Sequence, residues 1–392
     1  MDIFEKAFQY STVKNAKASG LYPYFIPLDE NEGTEVIYHG KHIIMCGSNN
    51  YLGLTTHPKV KAAAIDAIER HGTSCTGSRF LNGNMSIHED LEEELADWVG
   101  KEAALVFSTG MQVNLGTISS LVNRGDIVIL DKEDHASIVD GAFLSGGKIV
   151  RYRHNDMDHL KRVFESLPEE TGKLLVVDGL FSMEGDIAPL PEIVPLCKEF
   201  GVRLMVDDAH AMGVLGGGHG TAAQFGMTED VDLIMSTFSK SFASLGGFVA
   251  GESDVIDYIK HHARSLIFSA SIPPANTATA MAALQVMREE PERVVRVNQI
   301  GDKMRKEYQR MGFNTGDSVT PVIPIIIGDD DRTFLTWHML FENGVFVNPV
   351  ISPAVSSGRQ LLRTSYMATH TNEQLEKVLE IFYKVGKELQ LI

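Results

Sequence analysis

Cysteine is scarce in this chain. Three occur in 392 residues, at Cys46, Cys75 and Cys197, too few and too scattered for a disulfide framework or a cysteine-rich zinc site. They read as reduced thiols. Basic residues are also short, with 35 Lys and Arg against 52 Asp and Glu and a formal net charge of −17. A surface of that sign repels phosphate backbones and anionic lipid, which excludes a general nucleic-acid binder; any anionic ligand must meet a local basic patch. No stretch supplies the ~18 uninterrupted apolar residues that a membrane helix needs. The opening "MDIFEKAFQYSTVKNAKASG" has no basic segment followed by an apolar one, so it does not read as a secretory signal and a cytoplasmic location is expected. Repeats and low-complexity linkers are missing as well.

What is present is a chain with 44% hydrophobic residues, enough to bury a large core, in which apolar strands alternate with helices. "HPKVKAAAIDAIERHG" (57–72) carries Pro58 at a helix start and Gly72 just past its end, the asymmetry that the two helix termini prefer. "LLVVD" (174–178), "LPEIVPLCKEFG" and "VRLMVD" (202–207) read as strand, helix, strand. Neither strand alternates in polarity, as expected for a parallel sheet with helices on both faces. "DIVILD" (126–131) and "VDLIMS" (231–236) join the same sheet, and a Thr371 to Gln374 capping box opens a C-terminal helix. The expected division is an N-terminal arm over 1–47, a large domain over 48–285, and a C-terminal domain over 286–392 that begins after the helix following Pro273-Pro274.

Polar residues collect where the strands stop: "DKEDHAS" (131–137), "DGLFSMEGD" (178–186), "DDAHAMG" (207–213) and "STFSK" (236–240). Ligands of open α/β sheets bind at the carboxyl ends of strands, so these segments converge on one site. Each residue alone has a plain structural reading: Lys240 as a structural lysine, His135 as a satisfied histidine, Ser182 as a turn former. "DDAH" is a poor metal cluster, because Asp207 and Asp208 point to opposite faces of a strand. "GGGHG" (216–220) lacks the dinucleotide fingerprint. Together the residues point to a chemistry. A lysine forms a Schiff base only as the neutral amine, and at a pKa of ~10.4 roughly one in two thousand is neutral at pH 7. Burial among small apolar and hydroxyl groups favours that form. Pyridoxal phosphate requires such a lysine, an acidic partner for its ring nitrogen and a phosphate cup; Lys240 and Asp207 supply the first two.

These segments, with "SNNYLGL" (48–54), "GTSCTGSRFLNGN" (72–84), "HEDLEEELADWVGKEAALVFSTGMQVNLG" (88–116), "DHASIVDG" (134–141), "TFSKSFASLGGF", "FSASIPP" (268–274) and "LLRTSYMATHT" (361–371), run nearly the length of the chain. In this order they resemble the α-oxoamine synthases, fold-type I pyridoxal phosphate enzymes that condense an amino acid with an acyl-CoA and lose carbon dioxide. "GVFVNPVISPAV" (344–355) and "LLRTSYMATHT" look most like the soluble bacterial serine palmitoyltransferases.

The resemblance implies an aspartate aminotransferase-like α/β fold with a mostly parallel central sheet covered by helices, plus a smaller α+β C-terminal domain. It implies that Lys240 carries the cofactor and moves the Cα proton, Asp207 pairs with the ring nitrogen, and His210 and Ser182 bond the phenolic oxygen. His135 would stack on the ring and touch the substrate carboxylate, which Asn50 and Arg363 receive. Gly110, Met111, Thr237 and Ser239 would form the phosphate cup, with Ser269 and Ala270 reaching it from a neighbouring subunit of a homodimer. L-serine and palmitoyl-CoA are the expected substrates. The alternatives are glycine with acetyl-CoA, alanine with a pimeloyl thioester, a cysteate-using acyltransferase, or a partner subunit without activity. A long-chain substrate implies peripheral membrane contact, for which the acidic balance offers no electrostatic help. No metal is expected.

Overall fold

The computed structural model describes residues 2–31 and 33–392. Short helices α1 (Glu5–Phe8) and α2 (Thr12–Ala18) precede strands β1 (Glu30–Asn31), β2 (Glu35–Tyr38) and β3 (Lys41–Met45). Helices α3 (Pro58–His71) and α4 (Ser86–Val99) lead into an alternation: β4 (Ala103–Phe107), α5 (Gly110–Leu121), β5 (Ile127–Asp131), α6 (Ala136–Ser145), β6 (Lys148–Tyr152), α7 (Met157–Glu165), β7 (Lys173–Asp178), α8 (Leu190–Phe200) and β8 (Arg203–Asp207). After α9 (Thr221–Gln224) come β9 (Leu233–Thr237), β10 (Gly247–Gly251), α10 (Ser253–His262), α11 (Arg264–Ile267), α12 (Pro274–Glu289) and α13 (Glu292–Met311). The remainder holds β11 (Val322–Ile326), α14 (Asp330–Glu342), β12 (Val345–Phe346), β13 (Asn348–Val350), β14 (Leu361–Ser365) and α15 (Asn372–Glu388).

Asn49–Gln299 form one compact unit. Among the described residues its sheet runs in the order β4-β10-β9-β8-β7-β5-β6. β5, β6, β7, β8 and β9 pair in parallel, while β10 is antiparallel to both β4 and β9. The strands β5, β9 and β10 are buried at every position, which is why they show no alternation. The strand–helix–strand reading is β7, α8 and β8, with Asp178 opposite Asp207 in register. Gly72 follows α3 with φ of 78°, a conformation that costs glycine nothing.

Val113 and Ile118 of α5 and Ile138 of α6 join Val128, Leu130, Val176, Met205 and Val249 of the sheet in one buried cluster. Each large side chain so buried contributes about 1.5–3 kcal/mol, which pins these helices to the sheet. Because β4 and β9 share a direction with β5, β7 and β8, the carboxyl ends Phe107, Asp131, Asp178, Asp207 and Thr237 lie along one edge.

Met1–Ser48 and Ile300–Ile392 form the other unit. This differs from the expected split at 47 and 285: the first segment is no separate arm, because β3 pairs in parallel with β12, Ile44 opposite Val345. Val36, Ile43 and Ile44 also share a core with Tyr308, Trp337 and Phe382. A second sheet has the order β11-β14-β13. The capping box forms: Thr371 Oγ1 accepts from Gln374 N at 3.2 Å, and Gln374 Oε1 accepts from Thr371 N at 3.1 Å.

Candidate active site

Lys240 stands in the turn after β9. Two fully buried rings, Phe238 and Phe242, with centroids 5.2 Å apart, anchor the turn on either side of it. Ala243 takes a left-handed φ of 53°, and its N–H donates to Lys240 O at 3.0 Å while Ser244 N donates to Phe238 O at 2.8 Å. The chain then returns through Gly246, where a Cβ would meet the Phe238 ring at 2.6 Å, and Gly247, where it would meet Ser236 O at 2.7 Å. Both glycines permit the close approach of backbone to the site.

Asp207 closes β8 and is 2% exposed. Its Oδ2 accepts from Asn114 Nδ2 at 2.7 Å and its Oδ1 from Ala209 N at 2.9 Å. Asn114 also donates to Ser137 Oγ at 2.8 Å, and Ser137 Oγ lies 2.7 Å from His135 Nδ1. Ser137 N donates to the same Nδ1 at 3.3 Å. A nitrogen that accepts carries no proton, so the neutral ring holds its proton on Nε2. Burial lowers the His135 pKa; the Asp207 charge opposes this and the Lys240 charge adds to it. His135 is therefore a neutral imidazole at pH 7.

Behind it, Asp178 Oδ2 accepts from His135 N at 2.7 Å, and Asp134 accepts from Asp178 N at 3.0 Å and Asp131 N at 2.8 Å. Burial first, then neighbouring carboxylates, raise Asp134 and Asp178 well above the ordinary range. Both clamp backbone, and Asp178 lines the cavity together with Asp207. His210 is fixed by Tyr51, whose hydroxyl lies 2.7 Å from His210 Nδ1.

The N-terminus of α5 closes one end. Thr109 Oγ1 accepts from Gln112 N at 3.2 Å. Thr237 Oγ1 lies 3.0 Å from Ser239 Oγ. A Cβ at Gly110 would sit 2.6 Å from Thr237 Oγ1, so the missing side chain is what keeps this cradle open. Backbone N–H groups and the helix dipole there suit an anion. Gly110, Met111, His135, Asp207, His210, Thr237, Ser239 and Lys240 line one cavity of about 260 Å³. An amine, a strand-end carboxylate, an imidazole and an anion cradle form the donor set pyridoxal phosphate needs. These residues fit that group. Another cavity, about 300 Å³, lies among Leu121, Val122, Ile127, Leu174 and Leu233 at the amino ends of the strands, and carries none of this constellation.

Four expected residues of this unit are not among the cavity lining. Ser182 lies half-buried in the loop after β7. Asn50 orders its own turn, accepting from Leu54 N at 3.0 Å and donating to Thr55 Oγ1 at 2.9 Å. Ser269 Oγ accepts from Gln112 Nε2 at 2.8 Å and Ala270 O from Ser108 Oγ at 2.5 Å, within the same chain. Arg363 belongs to the other unit, buried in β14, where it donates to Ser365 Oγ at 3.5 Å. Sequence reasoning missed Asn114, Ser137, Asp178 and Tyr51. The "SNNYLGL" stretch held Tyr51 in view, but nothing local links it to His210, 159 residues away.

Residues 41–382 match the family Aminotransferase class I and II. The chain is 50% identical over 388 residues to a serine palmitoyltransferase of Sphingobacterium spiritivorum, covering 99% of this chain and 97% of that one. It is 39% identical to an 8-amino-7-oxononanoate synthase of Alkaliphilus metalliredigens, covering 100% of both. A variant serine palmitoyltransferase from S. paucimobilis, solved with a bound PLP–myriocin aldimine, superposes with a TM-score of 0.96 at 35% identity over 100% of each chain.

Proposed function

The chain belongs to the class I and II aminotransferase family, and from that membership we propose that it is a pyridoxal-phosphate-dependent acyltransferase joining L-serine to palmitoyl-CoA, with release of CoA and carbon dioxide. The product is 3-ketosphinganine, the first step of sphingolipid synthesis. The observation that carries the reading is the shared cavity of Lys240 and Asp207, with neutral His135 and the N-terminus of α5 on its walls. The full-length likeness to serine palmitoyltransferases supports serine over alanine.

Pyridoxal phosphate, when bound, supplies an aldehyde carbon that captures an amine and a ring that takes up the electron pair left at Cα. Lys240 would hold the group through its Nζ, and with the substrate amine in its place that Nζ would be free to take a proton from Cα and to return one. Asp207, an acceptor steadied by Asn114 and Ala209 N, would keep a proton on the ring nitrogen. His135 offers a ring face for stacking and an Nε2 proton for the substrate carboxylate. Arg363 and Asn50 receive that carboxylate, Arg363 through its planar fork. Gly110 and Met111 N–H groups with Thr237 and Ser239 hydroxyls bind the phosphate, joined by Ser269 and Ala270 of a second copy, so the working form is a homodimer. His210 and Ser182 bond the phenolic oxygen. Among the described residues no helix is long and apolar enough to cross a membrane; the long acyl chain of the substrate is the reason to propose peripheral contact.

The test is a spectral titration of the purified protein with glycine, alanine, serine and cysteate, followed by CoA release against acyl-CoAs of several lengths. Serine with the C16 thioester is the expected best pair. A strong preference for glycine with acetyl-CoA, or for alanine, overturns it.

A further inference from the structure

The motif "RHND" (153–156) lies outside every segment used so far, yet each of its last three residues has a distinct task at the same edge of the sheet. His154 is bonded at both ring nitrogens, Nδ1 to Asp131 Oδ1 at 2.9 Å and Nε2 to Asp186 Oδ2 at 2.8 Å. Asn155 takes a left-handed φ of 49°, which asparagine tolerates better than most residues. This lets its N–H donate to Asp131 Oδ2 at 3.0 Å and its Nδ2 to Asp186 Oδ2 at 2.8 Å. Asp156 caps α7 by accepting from His159 N at 2.8 Å.

Asp131 ends β5 and Asp186 belongs to the loop after β7 that carries Ser182. That loop closes on itself through Phe181 N to Asp186 O (3.0 Å), Gly185 N to Phe181 O (2.9 Å) and Ala188 N to Gly179 O (3.0 Å). The His154 ring also meets the buried Phe181 ring edge-on, with centroids 4.5 Å apart. We propose that His154 is a positioning residue: bridging Asp131 and Asp186, it fixes the 179–188 loop, and with it Ser182, against the end of β5. The same Asp131 donates its N–H to Asp134 at 2.8 Å, so the turn leading to His135 is set by the same anchor.

Two carboxylates accept and cannot donate, so both ring nitrogens must carry protons and His154 is an imidazolium. Burial alone would lower its pKa, but the hydrogen bonds to Asp131 and Asp186 outweigh this and push it up to about 10. A neutral ring would turn one lone pair toward a carboxylate and release one side of the bridge.

The proposal rests on the reading of Ser182 as a cofactor contact, and the experiment separates the two. Hydrogen exchange of the 179–188 peptide and the pH midpoint of the cofactor's visible band are measured on the holoenzyme for His154→Asn, Asp186→Asn, Ser182→Ala and the double variant His154→Asn/Ser182→Ala. The expected result is exchange at least tenfold faster in that loop in the first two variants, with the β7 and β8 peptides unchanged. The midpoint should move in His154→Asn in the same direction as in Ser182→Ala, with no further movement in the double variant. Unchanged loop exchange in both bridge variants overturns the proposal, as does faster exchange across the whole unit. A midpoint shift that persists undiminished when Ser182 is already gone shows that His154 does not act through Ser182 and also overturns it. Faster loop exchange with no midpoint shift in either single variant removes Ser182 from the cofactor and leaves the loop anchor standing.

Discussion

Two histidines show how differently the two units use the same side chain. His154, in the larger unit, lies between two carboxylates and is held charged. His370, in the other, is 2% exposed, accepts from Met367 N at 2.9 Å, and is pushed down to about 4, chiefly by burial. Buried tyrosines repeat the contrast. Tyr51 turns its hydroxyl to His210, which lines the cavity, whereas Tyr308 and Tyr366 turn theirs to each other at 2.6 Å. At the carboxyl edge of the large sheet, chains of polar contacts end at groups that line the cavity. In the core built from the two chain ends they close on themselves. The first pattern organises chemistry and the second stabilises a fold.

The contrast is broken most directly by exchanging the expected losses. Lys240→Ala should remove the cofactor's covalent attachment and lower kcat by about 10³-fold or more, with a native circular dichroism spectrum and a nearly unchanged denaturant midpoint. In the other unit, Phe382 is 1% exposed and packs against Tyr308 with centroids 4.9 Å apart. Phe382→Ala should cost about 3–5 kcal/mol of unfolding free energy, while the protein that remains folded keeps its cofactor band and its turnover per active site. Loss of the band at a temperature where Phe382→Ala is still folded would erase the distinction.

Part of this was legible beforehand, for a physical reason. A strand buried on both faces announces itself by an unbroken apolar run, and the polar residues that stop the run must lie at its end. Lys240, Asp207, His135 and His210 lie in the polar segments that follow such runs. Pairing between distant segments leaves no such local mark. Nothing in "KHIIM" (41–45) says that it will lie beside Val345 and Phe346, so the first segment read as an arm. Asn114 is a polar residue of α5, and only the packing of α5 on the sheet brings its amide to Asp207 and Ser137 at once. "RHND" carries no local mark either, because the value of His154 depends on two carboxylates 23 and 32 residues away.

Titration sharpens the comparison because the two histidines carry opposite signs. His154 has a folded pKa of about 10, above the ordinary ~6.5 it has when unfolded. Its contribution is fully present below pH ~6.5 and is lost as the pH rises through about 10. His370 has a folded pKa of about 4, so its contribution is present above pH ~6.5 and is lost as the pH falls toward 4. The melting-temperature difference between the parent and His154→Asn should therefore be largest near pH 6 and shrink toward pH 10. For His370→Asn the difference should be larger at pH 8 than at pH 5. The same direction of change for both variants would mean that one of the two environments has been misassigned.

The smallest effects belong to the tyrosine pairs, where one hydroxyl is removed at a time. Tyr308→Phe leaves the Tyr366 hydroxyl without this partner in a dry core, a loss of about 1–3 kcal/mol in stability. Tyr308→Phe/Tyr366→Phe should recover part of it, since removing both polar groups abolishes the desolvation cost as well as the bond. Neither change should move the cofactor band. Beside a longer donation to Asn49 Oδ1 at 3.4 Å, Tyr51→Phe removes the bond to His210, worth about 0.5–1.5 kcal/mol. Because that bond holds His210 Nδ1, the loss should surface as a shifted pH midpoint of the band and a two- to tenfold lower kcat, with the denaturant midpoint least affected of the three. If Tyr51→Phe instead lowers stability and leaves the band where it was, its hydroxyl is a core contact like that of Tyr308, and His210 is oriented by something else.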